Sequence, residues 1–159
     1  MTTVLLGLGS NIDPQRHIPL GISALQNLLG DFRASHVYEG DARGFVGTPF
    51  WNLVIEAQTP GSVGELQTAL RDIEYAYGRP KNAQRFSSRA LDIDILTFGD
   101  TVGSVEGVVL PRAEILDAAF VLRPLAELVP QTLHPALGLS FEQLWSAFDQ
   151  ASQPLKRVA

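Results

Sequence analysis

Two aspartates separated by a single residue stand in a strongly apolar stretch of the chain. Asp92 and Asp94 lie within Leu91–Phe98, which has the composition and alternation of a β-strand. Because side chains alternate along a strand, both carboxylates project from one face, with Cα atoms about 7 Å apart. Magnesium prefers one or two carboxylates together with water and substrate phosphates. The pair therefore suits two ions on a polyphosphate, although a solvated strand face is the simpler explanation of an isolated Asp-x-Asp.

Basic side chains precede this strand within a dozen residues, on a predicted loop. They are Arg79, Lys81, Arg85 and Arg89. Guanidinium groups neutralise and orient phosphate oxygens and stabilise the charge on a phosphoryl group in transfer. A basic loop alone is typical of a solvated surface. A basic loop that leads directly into a strand with paired aspartates, in an otherwise acidic protein, favours phosphoryl chemistry.

A third candidate group follows a glycine-rich loop predicted over Glu39–Pro49. Asn52 stands at the start of a predicted strand and is flanked by Phe50 and Trp51. An amide beside aromatic rings can hydrogen-bond the edge of a flat heterocycle while a ring stacks on its face. An aromatic pair in the core with a nearby amide explains the same residues equally well.

Composition and motifs exclude several other functional classes. The net charge of −5 argues against non-specific binding to nucleic acid or to an anionic membrane, since both need a basic face. The sequence contains no cysteine, which excludes disulfides and thiolate chemistry and fits a reducing, cytoplasmic compartment. There is no P-loop, dinucleotide fingerprint or nucleophile elbow. His17, His36 and His134 show no ligand spacing and are interpreted as structural.

The elements that must position these groups indicate one α+β domain over residues 1–159, with a mainly antiparallel sheet flanked by helices. Ser62 with Glu65, and Ser140 with Gln143, form capping-box patterns that begin two helices. The strands are predicted over Thr3–Gly7, Ser35–Tyr38, Phe50–Ala57, Leu91–Phe98 and Val102–Leu110, and the helices over Ile18–Leu29, Ser62–Tyr77, Pro111–Leu122 and Ser140–Phe148.

With these motifs in place, the chain resembles the hydroxymethyldihydropterin pyrophosphokinases over nearly its full length. The most specific match is Arg89–Leu96, which contains both aspartates. The other matching pieces, in the order of the family, are Gly7–Asn11, Phe50–Asn52, Ile73–Glu74 with Gly78–Arg79, Leu110–Pro111 and Ala119–Leu125. The resemblance implies a ferredoxin-like fold, in agreement with the independent α+β prediction.

The resemblance also implies a reaction and a role for individual residues. Diphosphate would pass from ATP to the hydroxyl of 6-hydroxymethyl-7,8-dihydropterin in folate biosynthesis, with release of AMP. Asp92 and Asp94 would hold two Mg²⁺ ions, and Arg79 and Arg89 would act catalytically on the phosphates. The implied nucleotide contacts are Glu74, Lys81, Arg85, Ile95 and Arg112. The implied pterin contacts are Gly44, Phe50, Asn52, Phe86 and Phe120. The expected partners are these small molecules, without nucleic acid or membrane, and the expected state is a monomer or weak dimer.

The chain departs from the family pattern beside the nucleotide and in the pterin loop. Arg112 follows Pro111 where the family usually has histidine, and Ala113 and Ala118 replace an aromatic and an arginine. Three functions therefore stay open at this point: the enzyme itself, a catalytically weak paralogue that binds a pterin or nucleotide, and a small-molecule sensor without phosphoryl chemistry.

Overall fold

The fold is built around one antiparallel sheet. The computed structural model describes residues 1–79, 82 and 87–158. Within these residues the strands are β1 (Thr2–Ser10), β2 (Arg33–Ala34), β3 (Tyr38–Gly40), β4 (Phe50–Thr59), β5 (Asp92–Phe98), β6 (Gly103–Val105), β7 (Val108–Leu110) and β8 (Lys156–Arg157). The main sheet has the order β5-β1-β4-β3-β8, with β2 also paired to β4, and β6 and β7 form a separate hairpin. Every pairing is antiparallel.

The helices cover both faces of this sheet. They are α1 (Pro14–Leu29), α2 (Val63–Ala76), α3 (Glu114–Asp117), α4 (Ala119–Leu128) and α5 (Phe141–Ala147), followed by a 3₁₀ turn at Gln150–Ser152. Both predicted capping boxes are confirmed. The Ser62 hydroxyl accepts from the amide of Glu65 at 3.2 Å, and that of Ser140 accepts from the amide of Gln143 at 3.1 Å. No helix in the described part of the chain is long and apolar enough to cross a membrane.

Two hydrophobic cores sandwich the sheet. Residues of α1 and α2 pack with Leu6, Leu8 and Ile93 on one face. Residues of α4 and α5 pack with Leu5, Val54 and Leu96 on the other. Both faces of the central strand β1 are therefore covered along most of its length, which fixes its register and that of its two neighbours. The predicted α+β architecture, with a mainly antiparallel sheet flanked by helices, is confirmed.

One strand prediction failed because the chain turns inside it. The sequence predicts a continuous strand over Val102–Leu110, but Glu106 and Gly107 have φ angles of 50° and 83°. Positive φ is incompatible with extended backbone, so the segment forms the β6–β7 hairpin instead.

A second strand prediction had the wrong bounds. The sequence predicts a strand over Ser35–Tyr38, whereas the structure has β2 ending at Ala34 and β3 beginning at Tyr38. The Ser35 hydroxyl accepts from the amide of Val54 at 2.9 Å and so takes the place of a backbone carbonyl in the ladder. This side-chain bond interrupts the regular pairing along β4.

Candidate active site

The floor of the candidate site is the end of β1 between two neighbouring strands. Gly9 is paired with Asn52 of β4 on one side and with Asp92 of β5 on the other. Gly7, two residues earlier on the same face, is paired with Asp94. Because successive side chains alternate, the amide and both carboxylates project from the face that also packs against α4. The three polar groups lie where the apolar packing against α4 ends. They surround the end of β1, where Gly7 and Gly9 contribute no side chain to this face.

Gly9 is required by this arrangement. A Cβ atom at this position would lie 2.5 Å from Oδ1 of Asn52, closer than real Cβ contacts allow. An alanine would therefore displace the amide, whereas a Cβ at Gly7 would meet only the Leu96 side chain, at 3.6 Å. Within the Gly7–Asn11 motif, it is therefore Gly9 that keeps the floor of the cleft open.

A cavity of about 450 Å³ stands on this floor. The structure brings eight of the predicted site residues to its wall: Phe50, Asn52, Arg79, Arg89, Asp92, Asp94, Arg112 and Phe120. The charged side chains gather at one end, above β5, and the aromatic rings and the amide gather at the other. We call the end beside β5 the charged half, and the end lined by the aromatic rings, which also contains Arg43, the flat half.

The acid pair lies in a poorly hydrated position. Burial, followed by the charge of the neighbouring Asp92, raises the pKa of the Asp94 carboxyl to about 7, although Arg112 acts in the opposite direction. Burial likewise raises the pKa of Asp92, followed by the charge of Glu74, while Arg112 and Arg89 lower it. Two carboxylates this close are costly to ionise without cations, so the donor chemistry fits hard metal ions.

Any magnesium ion here would need ligands from a substrate. Among the described residues there is no group of three or more histidine, cysteine, aspartate and glutamate side chains that could hold a metal. Two carboxylates are the protein share that magnesium usually takes, the rest coming from water and phosphate.

Arg112 points into the charged half of the cleft. Its Nη2 atom lies 3.7 Å from Oδ2 of Asp94, and its Nε donates to Oε1 of Glu114 at 2.6 Å. Its backbone amide donates to the carbonyl of Leu96 at 2.9 Å, which fixes this segment against β5. The Arg112 side chain keeps 41% of its surface exposed and is therefore accessible to a ligand.

Glu74 connects two of the arginines to strand β5. Its side chain is fully buried, with Oε2 accepting from the amide of Ile93 at 2.7 Å. Its Oε1 accepts from Nη1 of Arg79 at 3.0 Å and from Nη1 of Arg71 at 2.5 Å. Since Glu74 has no exposed surface, it would act on a nucleotide through these two guanidinium groups.

Arg71 is a cleft residue that the sequence predictions missed. It lines the cavity beside Arg79, and the available signal was its position three residues before Glu74 on one helix face. The Nε atom of Arg79 is buried and has no hydrogen-bond partner within the described residues. A buried donor of this kind, on the wall of a cavity, suits an anionic ligand.

Asn11 was also missed, although it lies in a motif that carries the family resemblance. It is buried, and its Nδ2 donates to the Thr48 carbonyl at 3.1 Å and to the Ser88 hydroxyl at 3.3 Å. Its Oδ1 accepts from the amide of Arg89 at 2.8 Å. One amide thus ties the end of the glycine-rich loop to the segment that supplies a predicted catalytic arginine.

The flat half of the cleft lies between β4 and the start of α4. The Phe120 ring faces the guanidinium of Arg43, whose Cζ is 5.8 Å from the ring centroid. Arg43 also lies 3.5 Å from a carboxylate oxygen of Asp117. On the other side of this half, at the start of β4, the Phe50 ring packs edge-on against the Phe45 ring, with centroids 6.4 Å apart. This end can receive a planar ring between aromatic faces, with the amide of the floor at its edge.

The remaining predicted residues are not on the cavity wall or are not described. Ile95 is almost fully buried in the core beneath α1 and α2, because it alternates with Asp94 along β5. Gly44 lies in the glycine-rich loop with φ 78°. Lys81, Arg85 and Phe86 lie outside the described residues.

Several known proteins are similar to this chain in sequence or in fold. The family model described as 7,8-dihydro-6-hydroxymethylpterin-pyrophosphokinase matches residues 5–130. The chain is 35% identical over 137 residues to the 2-amino-4-hydroxy-6-hydroxymethyldihydropteridine pyrophosphokinase of Aquifex aeolicus, covering 85% of each chain. It is 33% identical over 136 residues to the Pseudomonas aeruginosa protein of the same name, covering 83% of each.

Longer proteins match as well. The Folate synthesis bifunctional protein of Chlamydia caviae is 35% identical over 152 residues, which are 89% of this chain and 34% of that protein. Among solved structures, wild-type HPPK-DHPS of Plasmodium falciparum with pteroate superposes with a TM-score of 0.72 at 14% identity, covering 92% of this chain and 42% of that one.

The structural likeness places the chain among ferredoxin-like α+β proteins, as predicted. The chain belongs to the 7,8-dihydro-6-hydroxymethylpterin-pyrophosphokinase family.

Proposed function

We propose that this chain is a magnesium-dependent pyrophosphokinase of folate biosynthesis. It transfers diphosphate from ATP to the hydroxyl of 6-hydroxymethyl-7,8-dihydropterin and releases AMP. The observation that carries this proposal is that one cleft has two different ends: Asp92 and Asp94 lie with arginines at one end, and Asn52 lines the cavity together with Phe50 and Phe120 at the other. Membership of the family supplies the substrates that suit the two halves.

The charged half is proposed to bind the triphosphate. Asp92 and Asp94 would hold two Mg²⁺ ions, which when bound supply charge neutralisation on the phosphate oxygens. Arg79, Arg89 and Arg112 would orient those oxygens as charge-assisted donors. Lys81 and Arg85, which the resemblance also assigns to the nucleotide, remain part of this proposal. The main contribution of these residues is to place the β-phosphorus in line with its attacker.

The flat half is proposed to bind the pterin. Phe120 and Phe50 would stack on the ring, and the Asn52 amide would hydrogen-bond its edge. The ring would then direct its hydroxymethyl group toward the charged half. A bond forms between the hydroxyl oxygen and the β-phosphorus as the bond from that phosphorus to the AMP oxygen breaks, and the hydroxyl proton is released. Exclusion of water from the β-phosphorus would prevent hydrolysis of ATP from competing with transfer to the pterin.

The two alternative functions are not favoured. A sensor without phosphoryl chemistry does not account for membership of a pyrophosphokinase family. A catalytically weak paralogue was suggested by the departures at Arg112, Ala113 and Ala118. Arg112 nevertheless lies on the cavity wall beside Asp94, and Ala118 is a buried residue that packs in the core under α4. Neither substitution therefore argues against catalytic turnover.

We further propose that residues 1–159 act as one pyrophosphokinase domain, as a monomer or weak dimer in the cytoplasm. The residues that line the cleft come from strands and helices of a single chain. A composition without cysteine suits a reducing compartment.

The test is pterin-dependent formation of AMP. The purified protein is incubated with ATP, MgCl₂ and 6-hydroxymethyl-7,8-dihydropterin, and nucleotides are separated by chromatography, with each component omitted in turn. The proposal expects AMP and the pterin diphosphate in equal amounts, only when all components are present. Chelation by EDTA should stop the reaction, and excess Mg²⁺ should restore it. Formation of ADP, or AMP formation that does not require the pterin, would refute the proposal.

A further inference from the structure

Residues 153–158, beyond the part of the chain that matches the family model, return to the flat half of the cleft. The family match ends at residue 130. Strand β8 then adds to the edge of the main sheet, where Tyr38 and Glu39 of β3 pair with Arg157 and Lys156. The amide of Val158 donates to the Val37 carbonyl at 2.8 Å and extends this pairing. We call residues 153–155, just before this strand, the wall segment.

The wall segment lines the cavity. Gln153, Pro154 and Leu155 lie on its surface together with Gly40 and Phe120. Leu155 packs directly on Gly40: a Cβ atom built on that glycine would lie 2.7 Å from the Cδ2 atom of the leucine. The absence of a side chain at Gly40 therefore allows the leucine to approach the cleft edge.

Gln153 supplies a cap that α4 lacks. The residue before α4 is Ala118, which has no side-chain oxygen, so the first amides of the helix need another acceptor. Oε1 of Gln153 accepts from the amide of Ala119 at 2.9 Å, and its Nε2 donates to the carbonyl of Asp117 at 2.8 Å. Both ends of one amide thus hold the junction between α3 and α4, directly before Phe120.

A second set of contacts holds the segment in place from α4. Arg123, one turn after Phe120, donates from Nη1 to the Leu155 carbonyl at 3.4 Å. Its guanidinium also lies over the Tyr38 ring, 4.6 Å from the centroid. The wall segment is therefore fixed between the sheet edge and the helix that carries the predicted stacking residue.

We propose that the wall segment determines binding of the pterin, with Gln153 as a positioning residue for Phe120 and Leu155 as a direct wall of the ring pocket. This inference rests on the proposed function, because it takes the flat half as the pterin site. It distinguishes the two substrates: the wall segment lies at the aromatic end, whereas Asp92 and Asp94 lie at the opposite end with Arg79, Arg89 and Arg112. A change in the segment should affect the pterin and leave ATP unaffected.

The experiment compares Gln153→Met with the parent and with Gln131→Met. Methionine keeps the length of glutamine but makes neither hydrogen bond. Gln131 is exposed and its amide donates to Glu142, outside the cleft, so it controls for the loss of a glutamine contact. We expect the KM for the pterin to rise about tenfold in Gln153→Met and the KM for ATP to stay close to that of the parent, while the melting temperature falls by a few degrees because the cap of α4 is lost. Gln131→Met should match the parent in all three.

Leu155→Ala tests the wall contact without touching the Gln153 bonds, with the exposed Leu137→Ala as its control. Leu155→Ala should raise the pterin KM several-fold, and Leu137→Ala should not. Unchanged pterin KM in both wall variants, or equal rises in the KM for pterin and ATP, would overturn the inference.

Equilibrium binding separates this inference from the proposed function. The affinity for the pterin is measured from its own fluorescence, in the presence of a non-hydrolysable ATP analogue and Mg²⁺. If the parent makes no AMP, the proposed function fails, yet weaker pterin binding by the two wall variants alone would still support the wall segment. A parent that binds no pterin would overturn the inference as well.

Discussion

The guanidinium of Arg112 lies 3.7 Å from a carboxylate oxygen of Asp94, on the wall of the cleft. In the family pattern this position usually holds histidine. An arginine here is a permanent cation beside a carboxyl group whose pKa is raised to about 7, chiefly by burial, and its charge favours the ionised form that a metal needs. The same side chain has exposed surface with which to meet a phosphate.

Arg112→Ala is therefore expected to weaken ATP binding or transfer by tens-fold, since a charge-assisted contact contributes about 1.5–3 kcal/mol. Arg112→His should recover much of the loss. The measurement is KM for ATP and kcat for both variants. Arg33→Ala is the matched control, because Arg33 forms an exposed ion pair with Glu56 of β4. If Arg112→Ala equals the parent, Arg112 has no role at the nucleotide.

Asn11 is expected to couple the end of the glycine-rich loop to residues 87–90, which precede β5. Asn11→Ala removes bonds to Thr48, Ser88 and Arg89, so it should lower kcat about tenfold or more. Hydrogen exchange should become faster in residues 45–49 and 87–90. Gln58→Ala, which loses one exposed bond to Thr3, is the control. Unchanged exchange in both segments would show that Asn11 does not couple them.

Gly9→Ala should disturb pterin binding through Asn52. The new methyl group would lie 2.5 Å from the Asn52 amide oxygen, so the amide must move or the strands must separate. We expect the pterin KM to rise about tenfold and the melting temperature to fall by several degrees. Gly7→Ala, with an ordinary 3.6 Å contact, should be closer to the parent in both measurements. Equal behaviour of the two variants would contradict the steric account of the Gly9 position.

Magnesium binding should depend on pH. The Asp94 carboxyl has an ordinary pKa of 3.8 when unfolded and about 7 in the folded protein, so folding favours its protonated form. This group therefore lowers the stability of the metal-free protein as pH rises from 3.8 to about 7. Magnesium binds the ionised form, so its affinity should increase over the same range and level off above it.

Calorimetry in two buffers of different ionisation enthalpy, with a non-hydrolysable ATP analogue, measures the protons released on binding. About one proton or less should be released at pH 6 and fewer at pH 8. Asp94→Asn should reduce this difference. A release that is the same at both pH values would contradict the raised pKa.

The strand with the acid pair could be predicted from the sequence because its signals are local. Alternation along Leu91–Phe98 places Asp92 and Asp94 on one face, and the two capping boxes are patterns of four residues. The contacts of Gln153 and Asn11 could not be predicted in this way. They join a side-chain amide to backbone groups more than thirty residues away, and backbone donors are the same at every position. Strand β8, with only two residues, has no periodicity to detect.

The central claim is that Asp92 and Asp94 form the metal site of a pterin pyrophosphokinase, and the most direct measurement is the rate of pterin-dependent AMP release by Asp92→Asn and Asp94→Asn. Both substitutions keep the shape of the side chain and remove its charge. Each variant should fold and lose activity by about a thousandfold, since a bound metal ion contributes several kcal/mol to charge stabilisation. Asp100→Asn, in the exposed turn after β5, should match the parent. Near-normal magnesium-dependent AMP release by either cleft variant would contradict the account.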